Sequence, residues 1–332
     1  MDTYQIYGVG NALVDLEFRV TDAVLDMLDV KKGVMTLADE DQQQFLLNRL
    51  GVQPDQQMCG GSAANTIVAA QYFGAKCYYT CRVANDALGD FYLADLAKAG
   101  VDSRHPVSDM PGRTGTCIVL VTPDAERTLH THLGITVSLN VGDINQQALA
   151  KSEWVYLEGY LSASPAGKEA ACLAHQLART AHAKVALTFS DPNMVQYCRQ
   201  GLQDMLGDGV DLLFCNEKEA QLWANDTDSI ASLHALRQVA HSIVMTRGAK
   251  GAVIWHQDQI MEIEPTMVKA VDTNGAGDMF AGAFLYALTH GFSWQNAGRF
   301  ASRAAALLVT QMGPRLSSQQ HQSLLLECED FA

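Results

Sequence analysis

A chain of 332 residues with 48% hydrophobic and 18% charged side chains can bury a large core, which excludes a disordered protein. Its 23 basic against 37 acidic residues leave a net charge of −14, so it repels phosphate backbones and anionic membranes and is not a general nucleic-acid or membrane binder. Eight scattered cysteines without a C-x-x-C pair argue against a disulfide framework and are expected to act as buried small hydrophobes. Met1 is not followed by a basic and then an apolar region, and no apolar run reaches about 18 residues, so a reduced, cytoplasmic setting is expected.

In chain order, short runs of Val, Ile, Leu and aromatics predict strands at 5–10, 76–83, 154–158, 184–189, 212–215, 242–246 and 252–255. Between and after them, helical periodicity covers 63–73, 87–99, 167–179, 217–223, 230–240, 276–289 and 294–310. This alternation is that of a parallel α/β sheet. No Pro/Ser-rich linker, charge block or repeat divides residues 1–332, so a single domain is expected. Segments 12–20, 34–37 and 114–132 alternate like strands without helices between them. They are expected to form a small β-sheet lid over the crevice at the carboxyl ends of the main strands, the alternative being an ordinary edge hairpin.

Three segments carry chemistry. In Val271-Asp272-Thr273-Asn274-Gly275-Ala276-Gly277-Asp278, a turn of small residues opens a strongly apolar helix, so free N–H groups and the positive end of the helix dipole converge as an anion hole. Asp278 in the first turn is a candidate base, although acidic residues also favour helix starts for capping alone. In Cys59-Gly60-Gly61-Ser62-Ala63-Ala64-Asn65, the glycines let a substrate approach the backbone, or merely make a tight turn, and Asn65 offers a donor and an acceptor to a hydroxyl-rich ligand. In Asn216-Glu217-Lys218-Glu219, Asn216 and Glu219 share a helical face at a strand mouth, where they could hold water around Mg²⁺ or form a capping box.

The order of these segments, together with Gly8-Val9-Gly10-Asn11 through Asp15 and Thr246-Arg247-Gly248-Ala249-Lys250-Gly251, resembles the ribokinase-like, or PfkB, family of carbohydrate and nucleoside kinases over nearly the whole chain. The resemblance implies a three-layer α/β/α fold with a mostly parallel central sheet and a small β lid. It also implies ATP-dependent phosphorylation of a primary alcohol. By carry-over, Asp278 is the base, and the backbone around Gly275, Ala276 and Gly277 stabilises the transferring group. Asn11, Asp15, Gly60, Gly61 and Asn65 would hold the acceptor. Asn216, Thr246, Gly248 and Gly251 would line the nucleotide site, Glu219 would organise Mg²⁺ through water, and Asp272 falls where many members bind a monovalent cation such as K⁺. The implied partners are a small nucleoside or sugar, with the chain a monomer or a lid-mediated homodimer.

Thr114-Gly115-Thr116-Cys117 with Glu126-Arg127-Thr128-Leu129 and Leu133-Gly134 is similar to the adenosine kinase branch, in which an arginine at the Arg127 position approaches the phosphates. Otherwise Arg127 is a solvated hairpin charge. A purine also needs an apolar slot, for which Phe18, Leu37, Cys117, Leu133 and Leu161 are candidates. Adenosine is therefore the expected acceptor. The alternatives are a ribose, fructose or 2-keto-3-deoxygluconate kinase, or a purine- or sugar-sensing protein without catalysis, against which the intact Asp278, glycine turn and NEKE segment argue.

Overall fold

The computed structural model describes residues 3–33, 35–103, 111–124 and 126–327. Its strands, in chain order, are β1 (Tyr4–Val9), β2 (Leu13–Arg19), β3 (Met35–Leu37), β4 (Gln56–Gly60), β5 (Cys77–Thr80), β6 (Gly115–Val121), β7 (Arg127–His132), β8 (Ser152–Glu158), β9 (Lys184–Thr188), β10 (Leu212–Asn216), β11 (Ser242–Thr246), β12 (Ala252–His256) and β13 (Gln259–Ile263). The larger sheet runs β13-β12-β11-β10-β9-β8-β1-β5. From β5 to β11 its pairings are parallel, while β12 and β13 turn back antiparallel.

Both faces of this sheet are covered, which explains the nearly continuous apolar runs. Successive residues such as Ile6 and Tyr7, or Val155 and Tyr156, point to opposite faces and are all buried. Ile6, Tyr156, Phe214 and Ile254 share a core with helices Ser62–Phe73, Ala276–Thr289 and Trp294–Leu308. Tyr7, Val155, Leu213 and Met245 share one with Pro165–Thr180, Arg199–Leu206 and Glu217–Ala224 on the other side. The chain leaves β1 towards β5 on one flank, whereas β8 through β11 step away on the other. A ligand crevice therefore opens at the carboxyl ends of β1 and β8.

The second sheet, β3-β7-β6-β2-β4, gathers the three segments expected to form a lid. Val14, Leu16 and Phe18 share an apolar core with Leu25, Leu28 and Leu46 of the helices Asp22–Leu28 and Glu40–Leu50. Alternation along β2 then leaves Asp15 and Glu17 on the opposite face. Strand β4, Gln-Gln-Met-Cys-Gly, carries no apolar alternation and was not predicted, and neither was β13. The predicted strand at 76–83 ends at Thr80, after which Arg82 pairs with Asp143 at 2.8 Å. The predicted helix at 230–240 stops at Leu236, and Ala240 instead bridges Val210. The described cysteines are all free, five of the seven being buried, and Cys328 lies outside the described residues.

Candidate active site

Helices Ser62–Phe73 and Ala276–Thr289 lie against each other because Gly282 presents no side chain. A Cβ there would stand 2.4 Å from the Thr66 carbonyl oxygen. This close approach brings the two N-termini together. Asp278 Oδ1 accepts from Ser62 Oγ at 2.7 Å and Oδ2 accepts from Asn65 Nδ2 at 3.0 Å. Both hydrogen bonds come from the neighbouring helix, so the carboxylate does more than cap its own. Asp278 keeps some exposure at the crevice floor, yet the surrounding protein pushes its carboxyl up to about 6, against the pull of Asn65, Ser62 and Arg315.

The turn ahead of it contains two glycines with different reasons to be there. Gly275 has φ 75°, and a Cβ would lie 2.6 Å from the Pro314 carbonyl oxygen, so the backbone path demands glycine. At Gly277 an added Cβ would meet nothing within 4 Å. The Asn274 N–H is held by Asp272 Oδ1 at 3.0 Å and that of Ala276 by the Thr273 carbonyl at 3.3 Å. Among the described residues, the N–H groups of Gly275, Gly277 and Asp278 meet no protein acceptor and are free to form the expected anion hole.

The side expected to hold the acceptor is built round a residue the sequence did not single out. Glu158, fully buried at the end of β8, accepts from the Asn11 N–H at 2.9 Å, Asn11 Nδ2 at 2.7 Å and the Ala63 N–H at 2.8 Å. It thus ties the ends of β1 and β8 to the start of the helix bearing Ser62 and Asn65. Burial pushes its carboxyl up to about 7, and Asp278 adds to the shift. Asp15 is pushed up to about 6 by burial, opposed by Arg127 and Arg315. Gly60 lies against Asp15, where a Cβ would come within 2.9 Å of its Oδ1, and a Cβ at Gly61 would come within 2.4 Å of the Asn11 carbonyl oxygen. Both glycines therefore also have a packing role. Asp15, Glu158 and Asp278 are thus three neighbouring carboxyls all raised above their ordinary range, a pattern common at functional sites and also found in buried structural networks.

Asn65 is engaged on both sides. Its Oδ1 accepts from Arg315 Nε at 2.7 Å, and Arg315 also donates to Asp95 Oδ2 at 2.5 Å. Ser62, Asp95 and Arg315 are further site residues absent from the sequence expectations. Arg315 follows the glycine turn by dozens of positions, and no local pattern marks it.

Arg127 is not a solvated hairpin charge. It is 13% exposed and pairs with Glu17 at 3.3 Å and Asp272 at 3.0 Å. Its Nε is buried without a partner. Beside it on the lid, Cys117, Val119 and Val121 form an apolar strip against Leu129 and Met312. Of the candidate purine contacts, Cys117 belongs to this strip, whereas Phe18 and Leu161 are fixed in the two main cores and Leu37 is 63% exposed on the lid edge.

Of the residues expected to line a nucleotide site, Asn216 and Thr246 are register partners at the ends of β10 and β11. Gly248 and Gly251 shape the turn that follows, closed by the Arg247 N–H donating to the Gly251 carbonyl at 2.8 Å. Glu219 is buried in a capping box. Its Oε2 and Oε1 accept from Asn216 N at 2.9 Å and Nδ2 at 2.7 Å, while Asn216 Oδ1 accepts from the Glu219 N–H at 2.8 Å. Burial pushes the Glu219 carboxyl up to about 8. Among the described residues, no helix is long and apolar enough to cross a membrane.

Residues 48–321 match the pfkB family carbohydrate kinase profile. The fold superposes on adenosine kinase from Sinorhizobium meliloti with a TM-score of 0.89 and 30% identity, covering 100% of each chain. It matches a probable sugar kinase from Rhizobium etli equally well, with a TM-score of 0.89 and 31% identity over 99% of this chain and 100% of the other. Adenosine kinase of Schizophyllum commune is 26% identical over 343 aligned positions, covering 95% of this chain and 97% of that one.

Proposed function

Because the chain belongs to the pfkB family of carbohydrate kinases and is an ATP-dependent kinase, we propose that it phosphorylates the primary hydroxyl of a nucleoside, with adenosine preferred and AMP as product. The γ-phosphoryl of ATP lies against the N–H groups of Gly275 and Gly277. The acceptor oxygen attacks phosphorus, its proton passes to Asp278, and the bond from phosphorus to the β–γ bridging oxygen breaks to release ADP. Ser62 and Asn65 aim the Asp278 carboxylate, and Asn11 and Asp15 orient the acceptor.

The observation that carries the nucleoside reading is the lid's inner face. An apolar strip of Cys117, Val119, Val121 and Leu129 can cover a purine, next to an arginine whose buried Nε is left for an incoming phosphate oxygen. The likeness to a sugar kinase at 31% identity keeps ribose, fructose and 2-keto-3-deoxygluconate as the second reading.

Each Glu219 oxygen accepts one hydrogen bond and retains acceptor capacity, and a nearby divalent cation would ionise a carboxyl otherwise held near 8. Asn216 and Glu219 thus fit Mg²⁺ held through water, the ion supplying charge neutralisation on ATP. Asp272 is different: Asn274 and Gly313 donate to it, and its ion pair with the Arg127 guanidinium already meets its charge. These residues do not fit a K⁺ ion held by that carboxylate.

The test is ADP release with adenosine, inosine, ribose, fructose and 2-keto-3-deoxygluconate, alongside Asp278→Asn. Adenosine should lead in kcat/KM, and Asn at 278 should lower kcat by roughly 10²- to 10⁴-fold while nucleoside binding stays within severalfold. A sugar leading by tenfold overturns the acceptor, and a kcat within fivefold of wild type overturns the base.

A further inference from the structure

We propose that Arg315 is a positioning residue for phosphoryl transfer, which orients the Asn65 amide so that its N–H group faces Asp278. A guanidinium donates and cannot accept. The Asn65 atom that meets Arg315 Nε at 2.7 Å must therefore be Oδ1, which turns Nδ2 towards Asp278 Oδ2 at 3.0 Å. Without Arg315 the amide could rotate and set its oxygen against the carboxylate, an arrangement that favours protonated Asp278. An ion pair with Asp95 alone would use only the Nη1 of Arg315. The Nε bond to Asn65 is the one that extends the chain of donors into the crevice.

The charges round Asp278 set the sign of the effect. Helix Ser62–Phe73 presents the neutral Ser62 and Asn65. The end of β8 and the turn after it present Glu158, whose carboxyl burial and Asp278 push up to about 7, and Tyr156 and Tyr160, whose phenols burial holds protonated. Arg315 favours ionisation, and Asp95 partly cancels its charge. Removing Arg315 therefore raises the pH at which the base becomes available, and neutralising Asp95 lowers it. Arg315 also acts on Asp15, which separates experimentally because kcat reports the enzyme with acceptor already bound.

This inference rests on Asp278 being the base, so the experiment carries Asp278→Asn as its own control. The pH profile of kcat is measured with ATP and adenosine, or with ribose should ribose lead the acceptor panel, for wild type, Arg315→Met, Arg315→Lys and Asp95→Asn. The acid limb should move up by about one pH unit in Arg315→Met, with activity recovering at alkaline pH, and by less in Arg315→Lys, which keeps the charge. Asp95→Asn, which keeps an acceptor for Arg315, should move it down. An unmoved limb with a uniform loss of kcat, equal signs for Arg315→Met and Asp95→Asn, or a shift confined to kcat/KM overturns the proposal. Should Arg315→Met fail to fold, Asp95→Asn decides: a downward shift supports it and an unmoved limb overturns it. Retained kcat in Asp278→Asn would instead sink the base assignment, whatever the Arg315 variants do.

Discussion

Arg127 of the lid forms an ion pair with Asp272 Oδ2 at 3.0 Å, the same oxygen that accepts from the Gly313 N–H at 2.8 Å. Asp272 Oδ1 meanwhile holds the Asn274 N–H. One carboxylate thus fastens the lid to the turn that forms the anion hole.

Arg127→Ala should therefore cost stability as well as turnover. Glu17, 1% exposed, loses its cationic partner, and breaking a buried pair in this way costs about 3 kcal/mol. Denaturant titration beside steady-state kinetics checks this. A fall in kcat at wild-type stability would mean that Glu17 and Asp272 are re-solvated when the arginine goes.

Asp278 gives a pH dependence of defined sign. Its carboxyl is raised from an ordinary value of 3.8 to about 6, so the folded state binds the proton more tightly than the unfolded chain. That contribution is complete below about pH 4 and is lost as pH rises through 6. Relative to wild type, Asp278→Asn should become more stable between pH 4 and pH 8 by about 1–3 kcal/mol. A flat difference across that range in paired unfolding curves contradicts the raised carboxyl.

Glu219→Gln separates metal organisation from capping. The amide oxygen can still accept one of the two Asn216 hydrogen bonds while the amide nitrogen faces the other donor and the charge is gone, so stability should fall by about 1–3 kcal/mol and the Mg²⁺ concentration for half-maximal activity should rise about threefold or more. An unchanged Mg²⁺ requirement with a lowered melting temperature would leave Glu219 as a cap alone.

The two turn glycines should fail differently. Gly277→Ala puts a methyl into open space, so stability should change by no more than about 0.5 kcal/mol. The KM for ATP should rise or kcat fall by tenfold or more, because the methyl stands where the phosphate approaches. Gly275→Ala meets the Pro314 carbonyl in a left-handed turn and should lose about 1–3 kcal/mol. Full activity in Gly277→Ala would remove that turn from phosphate binding.

What the sequence disclosed was local. The glycine turn with Asp278, the paired Asn216 and Glu219, and the alternation of strands and helices each reside in one short stretch, where spacing and residue type suffice. Glu158 reads only as the polar end of an apolar strand, and its role depends on Asn11 and Ala63 arriving from two other elements. Arg315 and Asp95 likewise gain meaning only when helix packing brings Asn65 between Arg315 and Asp278. Strand β4 escaped notice because its polar residues lie at a sheet edge, where pairing with β2 rather than hydrophobic patterning fixes it.

Residues 312–315 make up a short, largely buried connection with three separate attachments. Met312 packs on the lid strip, the Gly313 N–H holds Asp272, and Arg315 holds Asn65. Loops usually accept insertions because little depends on their exact path. Here one added residue would displace all three anchors at once, and substitutions among them act through one short stretch of backbone, so their energetic effects should not sum.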